Sequence, residues 1–327
     1  MIHPRFCRQL AGALFSLLLA TQPSCAARAE TASSSARALP DYLPVSLSQG
    51  SMGQPLLRGR INGKNALLYV DTGAPVSCVD ASQARRFHLS SLMLDDNTPV
   101  TVNANGAGHR VTLVSELQAG ALRIENTPAV LIDFRDINRA NRFSREKAND
   151  AILGLEILTG LGAILDFDSS RILVKSNSKK STAFGSRLKE TGWTEIPMHL
   201  NDGHLAIHAA VNKVTTEWIV DTGSPASVLD RAFCKAHQLP LTRRVFASRA
   251  INFQDSGGQI GKVSLLKIGA YKISDLPVAV FDLSGLLGLA RDNHDPVPNG
   301  LLGCETLVRN RAYIDCGNMK LYLKPAR

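Results

Sequence analysis

The sequence predicts a mainly β protein of two homologous lobes related by a pseudo-twofold axis, with a few short helices. Three observations carry this. Short alternating apolar runs, broken by Gly- and Asn-containing turns, take the place of any long helical periodicity. The tripeptide Asp71-Thr72-Gly73, which follows the apolar run Leu67-Leu-Tyr-Val70, returns as Asp221-Thr222-Gly223 after Trp218-Ile-Val220, 150 residues later in a chain of 327. A closing segment also repeats, with Gly154, Leu158 and Asp166 matching Gly303, Leu307 and Asp315, each 149 residues apart. A given tripeptide arises by chance roughly once in several thousand positions. Two copies in the same apolar setting therefore mark an internal duplication, which places one carboxylate in each half.

Residues 1–29 read as a secretory leader: Arg5 and Arg8, the apolar run Leu10–Ala20, then Ala27-Arg28-Ala29 with cleavage after Ala29. An apolar run of 11 residues is too short to span a bilayer. A lipoprotein anchor at Cys25 competes with this reading, but Gln22-Pro23-Ser24 lacks the Leu and small residues that such a signal wants. Export, to a periplasm or to the medium, is the expectation. Losing the leader removes three arginines and no acid, so the formal charge falls from +9 to +6. The remaining basic residues are scattered and not interleaved with aromatics, which fits a solvated surface and argues against nucleic acid as a partner. With 44% hydrophobic and 20% charged residues the chain is globular, and it is long enough for two cores. Cys78, Cys234, Cys304 and Cys316 remain after cleavage, and no pair has metal-ligand spacing. An oxidising compartment permits a Cys304–Cys316 disulfide, and Cys78 sits in an apolar strand as a buried thiol.

Residues 30–41 form a Ser/Ala-rich lead-in, 42–176 a first lobe, 177–193 a polar linker and 194–327 a second lobe. In the first lobe, strands at Val45–Ser48 and Leu56–Ile61 precede Asn62-Gly63, a hairpin turn whose two positions need positive φ. The returning strand Ala66–Val70 runs straight into Asp71. Asp80–Leu89 reads as a short helix capped by Asp80. Asn103–Gly108 is the tip of a hairpin, and strands follow at Val111–Val114, Ala129–Ile132 and Ala163–Phe167. The polar stretch 135–149 reads as a surface insertion. The second lobe repeats the order: strands at Ala206–Val211 and Glu217–Val220, the Asp221 loop, a helix at Asp230–Leu239, a hairpin at Asp255–Gln259 and strands at Val278–Phe281 and Ala312–Cys316.

A strand that ends in Asp-Thr-Gly has a chemical logic. The strand fixes the Asp, Gly lets backbone amides turn toward its carboxylate, and Thr can hydrogen-bond across to the matching loop. Two such loops at a pseudo-twofold axis bring Asp71 and Asp221 within hydrogen-bond reach. Like charges so close share one proton, so the ionised member can take a proton from water while the other donates to a carbonyl. His204 and His208 would lie on one face of a strand, but ~13 Å apart along it, so solvated or packed histidines are expected and no metal. Asp166 and Asp315 sit in closing strands and read as structural. No Gly-x-Ser-x-Gly element supports serine chemistry.

These residues resemble the aspartic proteases: apolar-Asp-Thr-Gly-Ala/Ser in each half, then Leu-Gly segments at Gly154 and Gly303 before the final strand of each half. The resemblance covers about residues 42–176 and 194–325, and looks more like two retropepsin units in tandem than a full pepsin. It implies two β-barrel lobes and a peptidase cleft between them in one chain. It also implies catalytic Asp71 and Asp221, and supporting loops of Thr72, Gly73, Ala74, Thr222, Gly223 and Ser224. Second loops at Gly154 and Gly303 would lie beneath the site, and flap hairpins would carry Gly106, Gly108, Gly257 and Gly258. Peptide or protein substrates are implied, with no cofactor. Where pepsin-like halves continue with two hydroxyl residues, this chain has Ala74-Pro75 and Ser224-Pro225. Ser224 can donate to its Asp and Ala74 cannot, so Asp221 is expected to be the ionised base and Asp71 to hold the proton. Two other arrangements stay open: a peptide-binding protein that has lost turnover, and lobes that pair between chains instead of forming a monomer.

Overall fold

The computed structural model describes residues 41–50, 53–104, 107–136, 138, 147–175, 183–242, 246–250, 253–283 and 297–325. The first lobe contains β1 (Tyr42–Ser46), β2 (Ser48–Gln49), β3 (Pro55–Ile61), β4 (Lys64–Val70), β5 (Cys78–Asp80), β6 (Thr101–Ala104), β7 (Ala107–Ala119), β8 (Leu122–Ile132) and β9 (Ala151–Leu153). Helix α1 (Leu155–Gly160) follows, then β10 (Ile164–Asp166) and β11 (Arg171–Lys175). Helix α2 (Ala183–Glu190) leads to the second lobe, which opens with β12 (Thr194–Pro197), β13 (His199–Asn201), β14 (His204–Val211), β15 (Val214–Val220) and β16 (Val228–Asp230). It continues with α3 (Arg231–Ala236), β17 (Phe246–Ala250), β18 (Phe253–Ile268), β19 (Tyr271–Phe281), β20 (Gly300–Leu302), α4 (Cys304–Arg309), β21 (Tyr313–Asp315) and β22 (Lys320–Leu323).

The strand order β2-β3-β4-β9-β5-β8-β7-β6, with β3 also pairing β7, closes six strands into a barrel. The second lobe repeats it as β13-β14-β15-β20-β16-β19-β18-β17, with β14 pairing β18. The hairpins follow from their turn residues. Asn62 and Gly63 take φ of 47° and 76°, and Asn212 and Lys213 take 48° and 77°. Each Asn side chain also ties its turn to the barrel, Asn62 Oδ1 accepting from Glu116 N (3.0 Å) and Asn212 Oδ1 from Leu265 N (3.1 Å).

The lobes pack their interiors differently around one plan. Leu68 pairs with Ala151 in the first, and Trp218 with Gly300 in the second. Trp218 is fully buried, and a Cβ on Gly300 would press into its indole ring. A larger side chain on one strand is thus offset by a smaller one on the next, so barrel volume is kept.

A third sheet joins the lobes. It runs β1-β11-β10-β21-β22-β12, three strands from each lobe, with Leu165 opposite Ile314 at its centre. Within the stretch 177–193, α2 buries Phe184 and Leu188 among Tyr42, Tyr313 and Tyr322, and Trp193 packs beside them. Two element readings shorten. Asp80–Leu89 holds only a 3₁₀ turn over Ala81–Gln83, with Asp80 as its N-cap accepting from the N–H and the hydroxyl of Ser82. The second helix is Arg231–Ala236, capped by Asp230 Oδ2 accepting from Phe233 N (3.0 Å). Among the described residues no helix is long and apolar enough to cross a membrane.

Candidate active site

The barrel topology places the two Asp-Thr-Gly loops. β9 runs parallel to β4 and antiparallel to β5, so the chain that leaves β4 turns over the end of β9 before returning as β5. Asp71 N donates to Leu153 O (3.0 Å), and Asp221 N donates to Leu302 O (3.1 Å) in the second lobe. The loops then interlock. Thr72 Oγ1 donates to Val220 O (2.7 Å) and accepts from Thr222 N (3.1 Å). Thr222 Oγ1 donates to Val70 O (2.6 Å) and accepts from Thr72 N (3.0 Å). Both threonines are fully buried, so these four bonds satisfy groups that water cannot reach. The glycines are required by proximity: a Cβ on Gly73 would strike the Asp221 carboxylate, and one on Gly223 the Asp71 carboxylate.

The floor beneath is also duplicated. Leu155 N donates to Ala74 O and Cys304 N to Ser224 O, both at 2.8 Å. Gly154 N donates to Ser77 Oγ (2.8 Å) and Gly303 N to Ser227 Oγ (3.1 Å). A side chain at Gly154 or Gly303 would collide with the backbone entering Ser77 or Ser227. Ser77 and Ser227 escaped the sequence reading, although they stand 150 apart in the same frame as the aspartates. The floors differ in one respect: Ser77 N donates to Glu156 Oε1 (2.6 Å), whereas Ser227 Oγ bonds Thr306 Oγ1 (2.7 Å).

The two carboxyl groups hydrogen-bond to each other. Burial raises Asp71 well above the ordinary carboxylate range, and repulsion from Asp221 raises it further, against amide hydrogen bonds from Gly73 and Gly223. Burial also raises Asp221, but amides of Ser224 and Gly223, the hydrogen bond from Asp71 and the nearby His204 all favour its ionised form. The hydrogen-bond donor to Asp221 differs from the one expected. Ser224 Oγ donates to Ala226 O (2.8 Å), and it is the Ser224 backbone N–H that reaches Asp221 Oδ1 (3.1 Å). At the matching place Ala74 N points to the Asp71 backbone carbonyl (3.4 Å), so the asymmetry lies in the main chain and not in the hydroxyl.

Other expected residues fall as follows. Gly106 lies outside the described residues; Gly108 pairs with Asn103 in the β6–β7 hairpin. Gly257 and Gly258 are not a hairpin tip. They lie inside β18, where Phe246 pairs with Gly258 but Ser248 with Asp255, a bulge that absorbs one extra residue. Asp166 Oδ1 accepts from Ser169 N and Asp315 Oδ1 from Asn318 N, both 2.9 Å, so each closes a turn. Cys304 and Cys316 are separate buried thiols, and no disulfide joins them. Cys304 lies under the second loop, donating to Thr222 O (3.0 Å), while Cys316 directly follows β21 of the interlobe sheet. His204 is buried near Asp221, whereas His208 is exposed.

A family model described as aspartyl protease matches residues 57–157 and 207–306, one match per lobe and more than half of the chain, and the chain belongs to that family. Among solved structures it is similar to basic 7S globulin from soybean, at 12% identity and a TM-score of 0.43, over 87% of this chain and 94% of that one. No curated protein sequence matches it.

Proposed function

We propose that the chain is an aspartic endopeptidase that hydrolyses peptide bonds with a water held between Asp71 and Asp221. The observation that carries this reading is the hydrogen-bonded, buried carboxyl pair held by the reciprocal Thr72–Thr222 bonds. Ionised Asp221 takes a proton from the water, and protonated Asp71 donates to the scissile carbonyl oxygen as the tetrahedral species forms. The β6–β7 and β17–β18 hairpins act as flaps over a bound peptide. Since both loops come from one chain, the working unit is a monomer, and the leader over residues 1–29 sends it to a periplasm or the medium.

The test is cleavage of a mixed peptide library across acidic to neutral pH by wild type, Asp71→Asn and Asp221→Asn, with and without a statine-type inhibitor. Each substitution is expected to lower turnover by about a thousandfold, within the usual worth of a general acid or base. Cleavage that survives both changes refutes the two-aspartate mechanism. A wild type that binds peptides without cutting any of them favours the inactive, peptide-binding reading of the same cleft.

A further inference from the structure

Away from the dyad, three adjacent strands of the second lobe converge on one carboxylate. His208 on β14 stands directly opposite Glu217 on β15, and His199 on β13 stands diagonally across from His208. His208 Nδ1 lies 2.7 Å from Glu217 Oε2, and His199 Nε2 lies 2.5 Å from Glu217 Oε1. The two imidazoles stack with centroids 4.5 Å apart. The Glu217 side chain is only 4% exposed, whereas those of His199 and His208 are 37% and 73% exposed, so the carboxylate is fixed and the imidazoles face solvent. Asn201 Nδ2 donates to Glu217 Oε1 (3.4 Å) from outside the cluster.

The duplication supplies an internal control. By strand register the first-lobe counterparts of His199, His208 and Glu217 are Ser48, Arg58 and Leu67. Leu67 occupies the same barrel site without a carboxylate, so the fold does not require Glu217, His208 or His199. The ligand chemistry is specific. One carboxylate and two imidazoles suit zinc and its transition-metal neighbours, whereas calcium and magnesium take oxygen ligands. One donor atom from each residue can be chosen so that all lie within 4.8 Å of one another. Four-coordinate zinc holds its ligands about 2.0–2.2 Å from the ion, so binding would exchange the direct imidazole contacts to Glu217 for contacts to the ion. The Asn201 amide already stands where an outer-sphere partner orients a ligating carboxylate.

We propose that His199 Nε2, His208 Nδ1 and a Glu217 carboxylate oxygen form a site for one divalent transition-metal ion of the zinc class. The fourth position opens to solvent, and the ion staples β13, β14 and β15 together. The residues come at equal nine-residue steps, one per strand of a meander, so the spacing that hides them from a metal-motif search is what brings them into contact.

The test uses the full chain without an affinity tag. Titration with zinc chloride by calorimetry and with cobalt(II) by visible absorption is run on wild type, His208→Ala and Glu217→Leu. Wild type is expected to bind one equivalent, to show the d–d bands of four-coordinate cobalt, and to gain thermal stability on zinc addition. Each variant is expected to weaken binding by more than the roughly 10–100-fold that losing an outer-sphere partner costs, and to lose the thermal gain. Glu217→Leu copies the first lobe's Leu67, and His208→Ala removes an exposed side chain. The latter stands alone if the former fails to fold. Absence of binding to wild type, or binding unchanged in His208→Ala, overturns the site.

Discussion

Two side chains at the centre of the molecule show how little separates a working site from a damaged one. Thr72 both donates and accepts across the lobe boundary, so Thr72→Val strands Val220 O and Thr222 N in a fully buried place. Each orphaned group costs roughly 1–3 kcal/mol. Chemical denaturation should therefore show a loss of about 2–6 kcal/mol, restored largely by Thr72→Ser, which keeps the hydroxyl. On the proposed mechanism activity needs one proton on the dyad. It is lost in acid as Asp221 protonates and lost toward alkali as Asp71 releases its proton. Because both groups are raised, the active window lies above the ordinary carboxylate range. Ser224→Ala should leave the acidic limb of the pH–rate profile in place, since the amide and not the hydroxyl faces Asp221. A displaced limb would show that the hydroxyl reaches Asp221 during turnover.

At the scale of the element, α1 and α4 begin alike, at Gly154 and Gly303, and each buries a glutamate Oε2 without a hydrogen-bond partner. Only Glu156 of α1 takes an amide of its loop, Glu305 of α4 accepting instead from Thr306 Oγ1. Glu156 accepts from Ser77 N, while its Oε2 is buried with no hydrogen-bond partner. Burial raises Glu156 from its ordinary 4.5 to about 6, against the Ser77 hydrogen bonds. A raised value favours the folded state below the unfolded pKa, and that contribution is lost as pH climbs through the folded one. Glu156 thus supports folding most fully below pH 4.5 and ceases to do so above about 6. Glu156→Gln should be neutral in acid and stabilising by about 1–2 kcal/mol above that range, as read from thermal midpoints across pH. A gain in acid instead would contradict the assignment.

The whole molecule is joined by more than its cleft. The interlobe sheet takes three strands from each lobe, and α2 lays Phe184 against Tyr42, Tyr313 and Tyr322, with ring centroids 5.6–6.4 Å apart. Coupling of this kind predicts one cooperative unfolding transition by calorimetry for both lobes. Phe184→Ala should cost about 3–5 kcal/mol and should lower that single transition without splitting it. Two resolved transitions in the wild type would mean that the lobes hold their structures independently.

Much of this was legible from residues alone. Local chemistry fixed Asn62-Gly63 as a turn, since few other pairs accept two positive φ values cheaply. The 150-residue repeat set the β strands in order and paired Asp71 with Asp221, because duplication copies a site together with its frame. What the sequence could not decide depends on contacts between distant segments. The Gly257-Gly258 pair reads as a turn locally and became a bulge because β17 continues alongside it. Ser224 can cap a carboxylate, but the path of the loop turned its hydroxyl to Ala226 and its amide to Asp221. His199, His208 and Glu217 are unrelated in one dimension and adjacent only once two hairpins fold them together. Sequence by itself determined the duplicated β architecture and the two carboxylates, which rest on local pattern and repetition. Tertiary structure alone decided which amides face each aspartate and which side chains gather beyond the dyad, because burial and hydrogen-bond direction exist only in the packed chain.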